Sequence, residues 1–184
     1  MINKLLTKFE ENPVIAAVRD SGKSAMNSPC EVIFDLGANI MTVASVINEA
    51  HRNGKLIFVH IDLAEGIGKD RGGLNYLKML GSDGIISTKT GLLRQAKELS
   101  MLTVKRVFLL DSQGVESAMN EIDRNSTDLI EIMPGIMPKM VERFSRIGVP
   151  VIAGGLIETK AEITSSLSSG AVAVSTGKKE LWYV

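Results

Sequence analysis

Three features of the chain predict one fold, an α/β architecture built as a compact (β/α)8 barrel with short loops. Short apolar runs recur eight times and alternate with stretches of helical spacing, at intervals of roughly 18 to 28 residues. Such alternation builds a parallel sheet with right-handed crossovers, and eight units can close on themselves. Polar side chains gather at the C-terminal ends of the runs, which converge on one mouth in a closed barrel. The last two runs carry Gly154-Gly155 and Ser175-Thr176-Gly177, where barrels of this kind build a phosphate site. An open doubly wound sheet is the competing architecture. At 184 residues the barrel must be tight, and residues 1–184 are expected to form one domain.

The elements follow in order. At the N-terminus, Ile2, Leu5, Leu6 and Phe9 share one side of an amphipathic helix that Asn12-Pro13 stops. Residues 14–18 form the first expected strand, followed by Arg19 and a polar stretch barely long enough for a helix. Residues 32–36 are the second, with Asp35 near the end. The helix expected at 40–52 turns Ile40, Val43, Ala44, Ile47 and Ala50 to one face, with Asn53-Gly54 as its C-cap. The run 56–61 is nearly all apolar, which suits a strand covered on both faces. A glycine-rich loop, Glu65-Gly66-Ile67-Gly68, leads to a helix carrying Leu74, Leu77 and Leu80.

In the second half, strands are expected at 84–87, 104–110, 129–133, 151–153 and 171–174. Helices are expected between them at 92–99, 115–124, 137–147 and 159–169. Asp111-Ser112 can cap the third-last of these. The tail, 180–184, holds the one tryptophan and is expected to pack back on the body, because a free apolar tail is costly.

Composition narrows the function. Twenty-one basic and 21 acidic residues cancel. That argues against nonspecific polyanion binding through net charge and leaves room for a local basic patch. One cysteine, Cys30, excludes an intramolecular disulfide and fits a reducing cytoplasm, the expected location. No apolar run approaches the ~20 residues needed to cross a bilayer. The N-terminus lacks a signal-peptide pattern.

The candidate site lies at the strand ends. Gly154, Gly155 and Gly177 have no Cβ to keep backbone N–H groups from an anion, and Ser175 and Thr176 add hydroxyl donors. Arg19, Asp35, His60, Asp62, Lys89 and Glu131 are candidates for further contacts to a small phosphorylated ligand. Alternation along the strands groups His60 and Asp62 with Phe58, Arg19 with Ala17, and Glu131 with Leu129 and Met133. Each has a structural alternative. His60 also reads as a core histidine, Asp62 and Asp111 as caps, and Lys89 as a solvated lysine. Arg106 and Glu131, on adjacent strands, also read as an internal ion pair. The Gly66–Gly68 loop reads as a connection or as a lid. His60-x-Asp62 with Glu65 is only a weak metal-ligand pattern, so no catalytic set, metal or cofactor is expected.

The stretches PVIAAVR (13–19), FVHIDLAEGIG (58–68), DGIISTK (83–89), DLIEIMPGIMPK (128–139) and PVIAGGLI (150–157) resemble the glycerol-3-phosphate-responsive antiterminators of bacterial glycerol uptake operons. The final AVAVSTGKKELW is similar to that family's C-terminus, so the resemblance spans essentially the whole chain. It implies a compact β/α barrel that is not an enzyme and senses glycerol 3-phosphate. It further implies action on the leader mRNA of glycerol genes, to prevent early termination of transcription.

The RNA partner rests on that resemblance alone. No RNA-binding module is visible and 4% of residues are aromatic. Arg94, Lys97, Lys105, Lys139, Arg143, Arg146, Lys178 and Lys179 could form a patch or simply solvate helix faces. The rival from another class is an isomerase or lyase of phosphosugars, with Lys89 positioned for a Schiff base. A homodimer is plausible for a small regulator.

Overall fold

The computed structural model describes residues 2–20 and 22–184. Its eight strands are all parallel and close in sequence order, the last pairing back onto the first. They are β1 (Val14–Val18), β2 (Val32–Asp35), β3 (Leu56–His60), β4 (Gly84–Ser87), β5 (Leu102–Phe108), β6 (Leu129–Met133), β7 (Val151–Gly154) and β8 (Ala171–Thr176). Helix α1 (Ile2–Glu11) precedes the barrel. After β1 to β7 come, in turn, α2 (Lys23–Met26), α3 (Val43–Arg52), α4 (Arg71–Met79), α5 (Thr90–Glu98), α6 (Ser112–Asn120), α7 (Pro138–Ser145) and α8 (Lys160–Ser168). A 3-10 helix, Lys179–Tyr183, follows β8.

The apolar runs become strands because both their faces are covered. One alternate set points outward: Ile33, Ile57, Ile85, Ile130 and Val151 join a core shared with the helices. The other fills the barrel: Ile15, Val32, Phe34, Phe58, Ile86, Val104, Leu129 and Ile152. Within it the Phe34 and Phe58 rings sit 5.6 Å apart and tilted. Leu5 and Phe9 of α1 belong to the same inner core as the first residues of β2, β5 and β6. Helix α1 therefore stoppers the N-terminal end of the barrel and leaves the C-terminal end as the open mouth.

The tail packs back as expected. Trp182 is fully buried, its indole N–H donates to the Thr176 carbonyl at 2.9 Å, and Leu181 is buried beside it. Several boundaries differ from the sequence reading by one to four residues, α6 (Ser112–Asn120 against 115–124) among them, and two of the differences have a clear cause. Helix α3 starts at Val43, not at 40, because Asn39 turns the chain first: its carboxamide oxygen accepts from Met41 N–H and its carbonyl from Val43 N–H. Strand β5 runs from Leu102 to Phe108 instead of 104–110, since Leu110 has left the sheet and stands in solvent.

Candidate functional site

A cavity of about 540 Å³ opens at the C-terminal mouth. Its floor is polar and built from β5, β6 and β8. Arg106 of β5 and Glu131 of β6 lie side by side in register. The Arg106 Nε donates to Glu131 Oε2 at 2.7 Å, and Ser175 of β8 donates its hydroxyl to Glu131 Oε1 at 2.6 Å. All three side chains are buried. Gly154 makes room for this arrangement: a Cβ there would lie 2.5 Å from the Ser175 hydroxyl and 2.6 Å from Glu131. Among the described residues, the bond to Glu131 is the one hydrogen bond of the Arg106 guanidinium, whose remaining donors face a cavity that Arg106 lines.

The walls come from the loops after β7 and β8. Gly155, Leu156, Ile157 and Glu158 form one side; Gly177, Lys178 and Lys179 form the other. Gly155 has a positive φ of 74°, a conformation a glycine adopts without strain. The preceding strand meets the β6 end here, where Gly135 N–H donates to the Gly154 carbonyl; a Cβ on Gly135 would sit 2.6 Å from the Gly154 nitrogen. Thr176 ties the two loops together by donating to the Ile157 carbonyl at 3.0 Å and accepting from Lys178 N–H at 3.1 Å. The end of β1 closes the cavity with Ala17, Arg19 and Asp20, and Lys179 reaches Asp20 at 3.3 Å. Three of the four cations, Arg19, Lys178 and Lys179, are exposed at the rim, while Arg106 is buried in the floor.

Of the residues proposed from sequence, the cavity brings together Arg19, Glu131, Gly155, Ser175, Thr176 and Gly177. Five lie elsewhere. Gly154 sits beneath the floor, as described. Asp35 shares the outward parity of Ile33, on the far side of the sheet from Phe34. There its carboxylate accepts from Gly37 N–H, and burial raises its pKa. Asp62 has left β3 for a 3-10 turn and braces the neighbouring loop, accepting from Ser87, from Thr88 N–H and from the Thr88 hydroxyl. Partial burial alone would raise its pKa, but these hydrogen bonds outweigh it and hold the carboxyl below its usual range. Lys89 is exposed at the start of α5 and does not line the cavity.

His60 points into the barrel with Phe58 but is buried below the cavity lining. Among the described residues its Nδ1 has no hydrogen-bond partner. Burial, and then the positive charge of Arg106, push its imidazole down to about 4, so it is neutral near pH 7. The residues that sequence reasoning missed are Asp20, Leu156, Ile157 and Glu158, which follow the strand ends, and Lys178 and Lys179, read there only as surface cations. Arg106 was open to both roles, and the structure gives it the ion pair and a place on the cavity.

Fold and cavity together define a (β/α)8 barrel with a mouth of small-molecule size, carboxylate and guanidinium in its floor and cations at its rim. The family model of the glycerol-3-phosphate responsive antiterminators matches residues 14–182, and the chain belongs to that family of regulators. It is 35% identical over 182 residues to the Escherichia coli (strain K12) protein YgcP, covering 97% of this chain and 95% of that one. Among solved structures it is similar to the glycerol uptake operon antiterminator regulatory protein of Listeria monocytogenes (31% identity, TM-score 0.86, covering 93% of this chain and 95% of that one). It is similar also to a glycerol uptake operon antiterminator-related protein of Thermotoga maritima (32%, TM-score 0.83, 92% and 96%).

Proposed function

We propose that this chain binds glycerol 3-phosphate in the mouth of its barrel and acts as a transcription antiterminator on the leader mRNA of glycerol utilisation genes. The observation that carries the reading is the cavity floor, where Glu131 is fixed by Arg106 and Ser175 beneath loops that begin with Gly155 and Gly177. A phosphorylated polyol asks for two things. Its dianion needs donors and positive charge, which Arg106, Lys178, Lys179 and the glycine-rich backbone after β7 and β8 supply. Its hydroxyls need an anchored acceptor, which Glu131 supplies. Arg19 guards the rim. Gly154 and Thr176 shape the cradle from below, Asp35, His60 and Asp62 serve the frame around it, and Lys89 stands exposed beside it.

In this reading the protein is a regulator that acts in the cytoplasm, without turnover and with no catalytic residue or metal. The lysine that the sequence positioned for an imine, Lys89, is off the cavity. Thermal unfolding with glycerol 3-phosphate, against glycerol, inorganic phosphate and other phosphosugars, tests the proposal. At 100 times its dissociation constant the ligand adds about 2.7 kcal/mol of stability. A shift with glycerol 3-phosphate alone is the expected result. Equal shifts with many phosphosugars, and turnover of one of them, would return the enzyme reading; no shift with any would remove the sensor.

A further inference from the structure

Resting on that proposed function, we infer that the sector of the mouth from β4 to β6 is the surface that takes single-stranded RNA. A base lies against Phe108, and phosphates lie on Lys89 and Lys139.

The charge distribution carries the first part. Along α5 and α7 the other cations are held in ion pairs: Arg94 with Asp123, Lys97 with Asp128, Arg143 with Glu116 and Arg146 with Glu142. At the mouth end of the same sector, two acids hold backbone instead. Asp62 braces a loop, and Asp111 caps α6 by accepting from Gly114 N–H. Among the described residues, neither Lys89, before α5, nor Lys139, at the start of α7, belongs to an ion pair. This sector thus presents two exposed lysines outside any ion pair.

The same sector exposes apolar surface. Phe108 closes β5 at 52% exposure, Leu110 follows at 88%, and Ile136 stands after β6 at 39%. Large apolar side chains grouped on a solvated rim mark a contact surface. Beside Phe108 lies a second, smaller cavity of about 240 Å³, walled by Thr88, Val107, Lys105 and Glu121. A half-exposed aromatic ring over a shallow hollow, flanked by unpaired lysines, is how proteins hold single strands: bases stack and phosphates meet cations. A second copy of this chain fits less well, since a self-complementary contact offers the two unpaired lysines no new anion, whereas a phosphate backbone does.

Arg106 lines both cavities. Glycerol 3-phosphate held by this guanidinium on one side alters the wall that the RNA meets on the other, so one side chain joins sensing to RNA affinity.

The test starts from an RNA enriched out of a randomised pool on the full chain with glycerol 3-phosphate present, then labelled for titration. Phe108→Ala should weaken its binding about tenfold, while Phe108→Tyr, which keeps the ring, should bind like the parent. Lys89→Glu with Lys139→Glu should lower the salt slope of log affinity by about 1.4, two phosphate contacts on a single strand. Lys4→Glu, at the stoppered end of the barrel, should change nothing. RNA held as tightly by the Phe108 and lysine variants as by the parent overturns the inference and leaves the proposed function standing. A pool that yields no RNA overturns the inference and the RNA half of that function together, while the thermal shift still tests the sensor half. A parent dimer in light scattering that Phe108→Ala makes monomeric assigns this face to a second copy and also overturns it.

Discussion

Glu131 and Arg106 are buried partners, and neither is replaceable alone. Glu131→Ala leaves a guanidinium in the barrel without its carboxylate, a change that costs about 3 to 5 kcal/mol. Arg106→Met strands the carboxylate in the same way, whereas Arg106→Met with Glu131→Met should cost less than the sum of the singles. Urea unfolding of the four proteins measures this; additive losses would mean that the pair is not coupled. His60 makes a second residue-scale prediction. Its folded pKa of about 4 lies below the unfolded value of 6.5. Between the two, the unfolded chain takes up the proton and the folded one does not, so stability falls as pH drops from 6.5 towards 4. His60→Gln should flatten that part of the stability profile relative to the parent, by a difference on the order of 1 to 3 kcal/mol at pH 4. An unchanged difference from pH 7 to pH 4 would show that the imidazole titrates normally. At this scale the sequence was informative where it gave a parity. Glu131 and Ser175 share the inward set with Leu129 and Ala173, whereas Asp35 shares the outward set with Ile33 and was still grouped with the mouth because it stands near a strand end. Parity decides which side of a sheet a residue serves, and nearness to an end does not.

At the scale of elements, α1 is the part whose role is least expected from a barrel of repeated strand–helix units. It contributes Leu5 and Phe9 to the inner core and so replaces the water that an open N-terminal end would admit. Leu5 is completely buried, and Leu5→Ala should cost about 2 to 5 kcal/mol of folding stability. The cavity is at the opposite end, so the dissociation constant for glycerol 3-phosphate, measured by calorimetry well below the melting temperature, should change little. A large loss of affinity would mean that the stopper and the mouth are coupled through the inner core. Most elements were legible because an apolar run between turn residues has few other uses in a chain of this length. The β5 boundary was not, since Leu109 and Leu110 extend the apolar run without extending the sheet: Leu109 N–H still bonds to the Met133 carbonyl, but Leu110 turns into solvent. Ile40 misled in the same manner, an apolar residue at helical spacing that an asparagine turn keeps out of the helix.

The whole molecule is defined by closure. Pairing of β8 with β1 removes both sheet edges, so no strand can leave without breaking two ladders. The C-terminal segment then locks that seam: Trp182 donates to the carbonyl of Thr176, the last residue of β8, and the Cys30 thiol, from before β2, contacts the Trp182 carbonyl at 3.7 Å. This continuity predicts one cooperative domain over the chain, with no separable half. The single tryptophan, at the seam, reports on closure, whereas far-UV circular dichroism reports on all the strands and helices. Urea unfolding followed by both signals should give coincident curves with one midpoint, as a two-state domain does. If the tryptophan signal moved first, the seam would open before the barrel melts, and residues 1–184 would not behave as one unit. Saturating glycerol 3-phosphate sharpens the prediction. The ligand is proposed to sit between the β1 end and the loops after β7 and β8, which are the parts that the seam joins. It should therefore move both curves together to higher urea, and a shift in the tryptophan curve alone would confine its effect to the seam.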